Sequence, residues 1–159
     1  SNWQWQPHIA LTSHQNLDFY FKRDGVLKSL GKTQLAYSPN LVGGNSIMYI
    51  PSTRFQIGLL SKYVGKQYMG NIDSENSTLE AYFVNDLNAV FIWKPNKWVS
   101  EIQWSILINN IFDIKYESNG YFYTYDDDFS TPGQLKTIEG AGYYPQAGIN
   151  FLTGLSLRF

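Results

Sequence analysis

Large apolar side chains alternate with polar ones in six separate segments of the chain. The alternation is clearest in residues 98–112, where Trp104 and Ile106 oppose Gln103 and Ser105. A period of two residues predicts a β-strand, and this run is longer than the usual strand of about 5–6 residues. The predicted strands span residues 3–13 with an extension to 21, 42–50, 54–64, 79–94, 98–112 and 146–159, and no helix is predicted.

The connections between these strands are alternately long and short. A long polar stretch precedes residue 42, and two more occupy residues 65–78 and 116–144, whereas tight turns lie at Pro51-Ser52-Thr53 and at Lys94-Pro95-Asn96-Lys97. Outer-membrane barrels have tight turns at one rim and long loops at the other, and their strands cross the bilayer in about 9–11 residues. The pattern therefore predicts an all-β fold of about six antiparallel transmembrane strands.

Aromatic residues flank the short turns. Trp93 and Trp98 bracket one turn, Tyr49 and Phe55 bracket the other, and the last residue is Phe159. Aromatic side chains are enriched where a bilayer meets water, because most of them combine an apolar body with a polar edge. We therefore predict an aromatic girdle at one membrane interface, formed by Trp3, Trp5, Tyr49, Phe55, Trp93 and Trp98.

The composition supports a membrane environment over an aqueous one. Aromatic residues make up 17% of the 159 residues and charged residues only 16%, whereas soluble domains carry about 25% charged residues. The net charge of −1 argues against nucleic acid as a partner. The absence of cysteine excludes disulfides and thiolate chemistry. No apolar run of about 18 residues predicts a transmembrane helix, and this does not argue against barrel strands.

Five stretches of the chain resemble sequences of a known family. They are Ser61-Lys-Tyr-Val-Gly-Lys-Gln-Tyr68, Leu79-Glu-Ala-Tyr-Phe-Val-Asn-Asp-Leu87, Asn109-Asn-Ile-Phe-Asp113, Tyr116-Glu-Ser-Asn-Gly-Tyr121 and Tyr143-Tyr-Pro-Gln-Ala-Gly-Ile-Asn-Phe-Leu-Thr-Gly-Leu-Ser-Leu-Arg-Phe159. Together they resemble the C-terminal part of TonB-dependent outer-membrane receptors over about 100 residues. The final stretch with its terminal aromatic is the most specific of the five.

The resemblance implies a fold, a location and a set of partners. Receptors of this family form 22-stranded barrels in the bacterial outer membrane, enclose an N-terminal plug domain and engage the energy-transducing TonB complex through an N-terminal box. Residues 1–159 would supply the last six strands and leave no room for plug or box. The expected partners are outer-membrane lipid, the remaining strands and plug, the TonB complex through the missing part, and a nutrient ligand. A ferric siderophore or haem is the default ligand.

An open sheet of six strands cannot by itself be a membrane barrel. Its two edges would leave backbone groups unpaired in lipid, which is costly, and single-chain barrels have about eight strands or more. We therefore expect further strands to complete the barrel. No signal peptide precedes Ser1, which predicts either a mature chain or a start within a longer polypeptide.

The resemblance also assigns roles to individual residues. A membrane-insertion signal is expected in the last strand, at Phe151, Leu155, Leu157 and Phe159; the alternative is an ordinary amphipathic strand. The polar faces of the strands would contact the plug or line the channel, or they would form a hydrated wall without a specific role. The residues expected to face the lumen are Arg54, Lys62, Glu80, Asp86, Glu101, Gln103, Asn109 and Arg158.

Other candidate chemistry is weak. Asp126-Asp127-Asp128 lacks the spacing of a calcium loop, and His8 and His14 have few acidic neighbours, so no metal or cofactor site is predicted. No nucleophile elbow, phosphate loop or zinc-binding motif is present, so we do not expect an enzyme.

Loop tyrosines would touch a ligand or form an upper girdle, and we favour the girdle. They are Tyr116, Tyr121, Tyr123, Tyr125, Tyr143 and Tyr144.

The same alternation also fits a soluble β-sandwich that binds carbohydrate through its aromatic side chains. A sandwich would have strands of ordinary length and would turn its aromatic side chains inward, between two layers. A membrane sheet would have long strands and would turn them outward. The exposure of Phe91, Trp104, Ile106 and Leu157 distinguishes the two folds.

Overall fold

The computed structural model of the chain describes residues 2–95 and 98–159. These residues form twelve β-strands and one short 3-10 helix at Glu75–Ser77. The strands are β1 (Trp3–Leu11), β2 (Gln15–Arg23), β3 (Val26–Gln34), β4 (Leu41–Ser52), β5 (Phe55–Val64), β6 (Gln67–Tyr68), β7 (Thr78–Leu79), β8 (Tyr82–Trp93), β9 (Glu101–Asn109), β10 (Glu117–Asp127), β11 (Lys136–Pro145) and β12 (Asn150–Arg158).

Six strands form one antiparallel sheet in the order β1-β4-β5-β8-β9-β12. Each of them has 9 to 12 residues, which is long for a globular protein and suits a bilayer crossing. Each of these strands overlaps one of the six predicted segments, although most bounds differ, so the all-β antiparallel class is confirmed. The sheet is not closed among the described strands, because β1 and β12 each pair on one side only. The 22-stranded barrel therefore stays a prediction.

The long connections contain two-stranded sheets that the alternation did not predict. β2 pairs with β3, β6 with β7, and β10 with β11. The predicted extension of the first strand to residue 21 is wrong, because β1 ends at Leu11 and residues 15–23 pair with β3. The fourth segment likewise begins at Tyr82 and not at residue 79, because Thr78–Leu79 pairs with Gln67–Tyr68.

The two short connections lie at the opposite end of the sheet from the long ones. Arg54 belongs to the turn between β4 and β5, where its N–H lies 3.2 Å from the Ser52 hydroxyl oxygen. The other connection links β8 to β9, and its predicted turn includes residues 96 and 97, which lie outside the described residues.

The fifth strand is shorter than the predicted segment 98–112, since β9 begins at Glu101 and ends at Asn109.

No second sheet covers the apolar face of the six-stranded sheet in the described part of the chain. Phe91 and Trp104 are each 49% exposed, Leu157 is 47% exposed, and Ile106 is partly buried. A sandwich would bury these side chains between two layers. The described residues therefore do not form a β-sandwich.

The tightly packed core lies at the loop end of the sheet. Val64 and Val84 at the upper ends of β5 and β8 are buried, as are Met69 and Leu79 in the connection between these strands. None of the helical structure in residues 2–95 and 98–159 is long and apolar enough to cross a membrane.

Candidate functional site

The register of the main sheet brings apolar residues of all six strands onto one face. Leu59 of β5 lies opposite Ile47 and Leu87, and Leu87 lies opposite Ile108. We call this face the apolar belt. Its large residues are Trp3, Trp5, Ile9, Leu11, Leu41, Ile47, Tyr49, Phe55, Ile57, Leu59, Tyr63, Phe83, Leu87, Phe91, Trp93, Ile102, Trp104, Ile106, Ile108, Phe151, Leu155 and Leu157.

One polar row crosses the apolar belt. Asn45, Ser61 and Asn85 lie opposite one another on three adjacent strands. The Ser61 hydroxyl donates to the Asn85 side-chain oxygen over 2.7 Å, and both residues are buried. The Ser61–Asn85 pair lowers the cost of placing these two residues among apolar neighbours, whereas Asn45 Oδ1 and Asn85 Nδ2 are buried without a hydrogen-bond partner among the described residues.

Aromatic side chains concentrate at the turn end of the belt. The rings of Trp3 and Tyr49 lie 4.5 Å apart. Phe55 lies opposite Phe91, which lies opposite Trp104. The predicted girdle residues therefore all lie at this end of the sheet. Trp5 is two residues further along β1 than Trp3, on the same face. Trp98 lies beyond the end of β8 and is 90% exposed.

The aromatic residues at the turn end, from Trp3 on β1 to Trp93 on β8, form an aromatic rim that crosses the sheet obliquely. Trp3 lies in register with Tyr49, Ile57 and Ala89, and Trp93 follows Ala89 by four residues, three strands away from Trp3. A rise of about 3.3 Å per residue and a spacing of about 4.8 Å between strands then give an angle of about 40°. If both tryptophans lie at one height, the strands tilt by that angle, which is within the range of transmembrane barrels.

The last strand carries its apolar residues on the belt. Phe151, Leu155 and Leu157 lie opposite Ile108, Trp104 and Ile102, respectively. All three are exposed, and so is Phe159, at 85%. β12 pairs with β9 on one side only, so its outer edge is open among the described strands.

The opposite face of the sheet contains most of the residues predicted to line the lumen. Glu101 lies 3.4 Å from Lys94 and 3.7 Å from Arg158. Asn109 donates to the Asn150 side chain over 2.8 Å, and Asp86 accepts the N–H of Asn110 over 2.7 Å. Lys62 lies opposite Gly44, and Gln103 opposite Ile92 and Ser156, on the same face.

Two of the predicted lumen residues lie elsewhere. Arg54 is in the short turn and not within a strand. Glu80 lies in the link between β7 and β8, so its expected position on a membrane strand is wrong. The reason is that Leu79, which carried the apolar pattern there, belongs to the buried core of the loop and not to the belt.

The three long connections meet in a loop cluster, and Glu139 of β11 joins them. Its carboxylate accepts hydrogen bonds from Arg23 of β2 and Ser74, and from Asn76 Nδ2 over 3.0 Å. Burial opposes the ionisation of Glu139, but the hydrogen bonds from Ser74, Asn76 and Arg23 outweigh it and hold the pKa of the carboxyl below its ordinary value. One charged group thereby links three loops that are far apart in the sequence.

A second set of contacts ties the β2–β3 hairpin to β11. The N–H of Thr137 donates to the Asp24 carboxylate over 2.8 Å, and the N–H of Asp24 lies 2.8 Å from the Thr137 hydroxyl oxygen. The Thr137 hydroxyl donates to Asp126 over 2.8 Å. Asp127 accepts the N–H groups of Phe129 and Ser130 at the hairpin tip. The acidic run thus serves loop packing, and no group of three or more His, Cys, Asp or Glu in the described ranges could hold a metal ion.

Asn110 and Asp113, the second and fifth residues of the Asn-Asn-Ile-Phe-Asp stretch, fold the base of the third loop. Asn110 adopts a φ of 50°, and its side chain both donates to Ile114 O over 2.9 Å and accepts Ile114 N–H over 3.0 Å. The Asn110 amide also reaches Ala147 O over 3.3 Å. The N–H of Ile149, followed by the Lys115 ammonium, holds the pKa of Asp113 below its ordinary value.

Three tyrosines form a row along one face of the β10–β11 hairpin. The ring centroids of Tyr121 and Tyr123 lie 6.3 Å apart and those of Tyr123 and Tyr125 lie 6.4 Å apart, with interplanar angles of 18° and 19°. Tyr144 continues the row, 6.0 Å from Tyr121. We call these four residues the tyrosine ladder. They lie on the hairpin and not on the six-stranded sheet, and their place in an upper girdle stays a prediction.

The opposite face of this hairpin packs on the neighbouring loops. The Phe122 ring lies against Gly70, and the Tyr143 hydroxyl donates to Asn76 O over 3.3 Å. The Tyr37 hydroxyl donates to Gly120 O over 2.9 Å. The hairpin is therefore held in place from one side, and the ladder faces away from its supports.

Sequence reasoning missed the residues that hold the loop cluster together. Arg23, Ser74, Asn76 and Glu139 are brought together over separations of up to 116 residues, and no local pattern marks them. The ladder did leave a local signal. Tyrosines at every second position from 121 to 125 have the period of a strand, which residues 116–144 were not expected to contain.

Comparison with known proteins supports the fold at low sequence identity. The chain is similar to the ferric-catecholate import receptor Fiu from E. coli K12 in its closed form, with 16% identity and a TM-score of 0.57. The match covers 98% of this chain and 19% of the receptor, so the chain spans about a fifth of that protein's length. No protein-family model matches the chain, and no curated protein matches it either.

Proposed function

We propose that this chain forms part of the wall of a bacterial outer-membrane barrel of the TonB-dependent receptor type. The observation that carries the proposal is the apolar belt: six long strands turn large apolar side chains to one side, and no protein layer covers them in the described residues. Exposing so much contiguous apolar surface to water is unfavourable, whereas hydrocarbon accommodates it. The fold likeness to an import receptor supports the same assignment.

The two ends of the sheet fit opposite sides of the membrane. The aromatic rim and short turns match the periplasmic side of such barrels, and the loop cluster matches the extracellular side. The oblique course of the rim supports tilted strands in a bilayer. In this proposal β12 contributes the insertion signal, and further strands pair with the open edges of β1 and β12.

The proposed process is uptake of an external ligand. The loop cluster would help to form the extracellular mouth, and a plug and the TonB complex would drive transport from outside this chain. A ferric siderophore or haem is the proposed ligand class, and the likeness to a ferric-catecholate import receptor supports the siderophore. The ionic pairs of Glu101 would then lie on the hydrated inner wall, where a charge is tolerated.

Adjacent residues of β5 give a matched test of which face meets lipid. Leu59 lies on the apolar belt and Leu60 on the other face. We expect Leu59→Arg to destabilise the barrel in phospholipid vesicles by about 2–4 kcal/mol, because an arginine in the middle of the belt would enter hydrocarbon. Urea unfolding followed by tryptophan fluorescence measures the difference.

Leu60→Arg is the control, and it should change stability by no more than about 1 kcal/mol because its side chain would enter water. Equal effects of the two substitutions would contradict the proposal. So would a wild-type protein that stays dispersed and folded in buffer without detergent or lipid.

A further inference from the structure

The tyrosine ladder is more than a cover for glycines. The tips of the Tyr121 and Tyr123 rings lie over Gly142 and Gly140, where a Cβ atom would be too close to the ring atoms. Tyrosine over a cross-strand glycine stabilises a hairpin, which accounts for these two residues. It does not account for Tyr125, which lies opposite Ile138 and extends the row.

The ladder offers a repeating, half-open aromatic surface. Tyr121, Tyr123, Tyr125 and Tyr144 are between 46% and 53% exposed, so a large part of each ring remains free. Successive rings of the first three are nearly parallel and evenly spaced. A ligand that uses all of them must itself repeat along its length, and it must present apolar faces beside polar edges to match tyrosine.

The lack of charged residues along the ladder disfavours an ionic ligand. Between Asn119 and Ile138 the register places no Asp, Glu, Lys or Arg on this face of the described hairpin; the nearest such pair is Asp127 with Lys136 at the tip. An anionic chelate or phosphate would therefore find no cation on the ladder. Arg23 pairs with Glu139 on the opposite face of the hairpin and is therefore not available to the ladder.

We propose that the tyrosine ladder binds a linear, uncharged carbohydrate chain at the cell surface. Sugar rings present C–H faces that stack on aromatic rings, and their hydroxyls can exchange hydrogen bonds with the phenolic groups. A chain of such rings supplies the repeat that the ladder requires. This site is separate from the contacts among the loops, because the ladder faces away from its supports, and it needs only the exposed hairpin.

The test measures binding of cellohexaose to the full chain in micelles of a detergent without a sugar headgroup, by isothermal titration calorimetry. We expect cellohexaose to bind at least about tenfold more tightly than cellobiose, because it reaches more rings. Tyr121→Ala and Tyr123→Ala should each weaken binding about tenfold, since each removes one stacking surface. Tyr20→Ala is the matched control, because Tyr20 is an exposed tyrosine on β2, and it should leave the affinity unchanged.

A second variant separates ring placement from ring number. Gly140→Ala keeps all four tyrosines but puts a methyl group where the tip of Tyr123 lies, so it should weaken cellohexaose binding while the hairpin still folds. Three results would overturn the proposal: no saturable binding of cellohexaose, equal affinity in the ladder variants, or tighter binding of a six-unit oligogalacturonate. Failure here with correct insertion into vesicles would refute the ladder alone. Glycan binding by a protein that does not enter lipid would refute only the membrane assignment.

Discussion

Asn110 turns the chain out of β9 with a φ of 50°, a left-handed conformation that asparagine tolerates better than most residues. Its side chain closes the turn on Ile114 and reaches across to Ala147, just before β12. The N–H of Asn110 is bound by Asp86 of β8. A single residue thereby fixes where β9 ends and where β12 begins.

We predict that Asn110→Ala destabilises the folded protein by about 2–4 kcal/mol, since it removes the side-chain hydrogen bonds and puts alanine in a left-handed conformation that it tolerates less well than asparagine. Asn110→Gly should cost less, because glycine adopts this φ freely and only the hydrogen bonds are lost. Urea unfolding in vesicles measures both variants. An alanine variant no less stable than the glycine variant would show that backbone strain plays no part.

At the scale of the elements, strand tilt follows from the register and the aromatic rim. Trp3 and Trp93 lie at the same height only if the strands lean, because the register offsets them by four residues over three strands. The interface holds tryptophan at a fixed depth, since the ring prefers the boundary between headgroups and hydrocarbon. If Trp3 and Trp93 both lie at the interface, their positions determine the tilt of the whole sheet.

We predict that the strands of the assembled barrel tilt by about 40° from the membrane normal. Polarised infrared spectroscopy of the amide bands in oriented bilayers measures this angle. Quenching of Trp93 fluorescence by lipids brominated at different depths should place its ring near the interface. Strands parallel to the normal, or a Trp93 ring at the bilayer centre, would contradict the level rim.

The six long strands of the main sheet could be predicted from sequence because a single-layer sheet with one apolar and one polar face has a strict period of two. The hairpins could not be predicted in the same way. In β2 and β3 the period is broken by register shifts, which occur where Asp18 has a φ of 52° and Gly31 a φ of 65°. In β10 both faces carry aromatic rings, so apolar and polar positions do not separate.

At the scale of the whole molecule, the loop cluster behaves as one unit because its contacts cross all three connections. Glu139 is the centre, with Arg23 on one side and Ser74 and Asn76 on the other. The folded pKa of Glu139 is lowered. Its contribution to stability is therefore complete above the ordinary pKa of a glutamic acid and is lost as the pH falls through the lowered folded value.

We predict that Glu139→Gln loosens all three loops at neutral pH, with exchange of the Thr137 N–H about tenfold faster than in the wild type. Acidification of the wild type should produce the same loosening after correction for the intrinsic pH dependence of exchange, and the variant should respond less to acid. Hydrogen exchange followed by mass spectrometry measures this. Glu75→Gln is the control, because Glu75 contacts Lys66 at an exposed position; an equal effect there would contradict a central role for Glu139.

The meeting of Arg23, Asn76 and Glu139 also determines how antibodies could see this surface. An epitope centred on that carboxylate would be discontinuous, assembled from three stretches that no short synthetic peptide contains. Immunisation with isolated loop peptides should therefore raise sera that recognise the denatured chain, whereas sera against this composite patch require the intact fold.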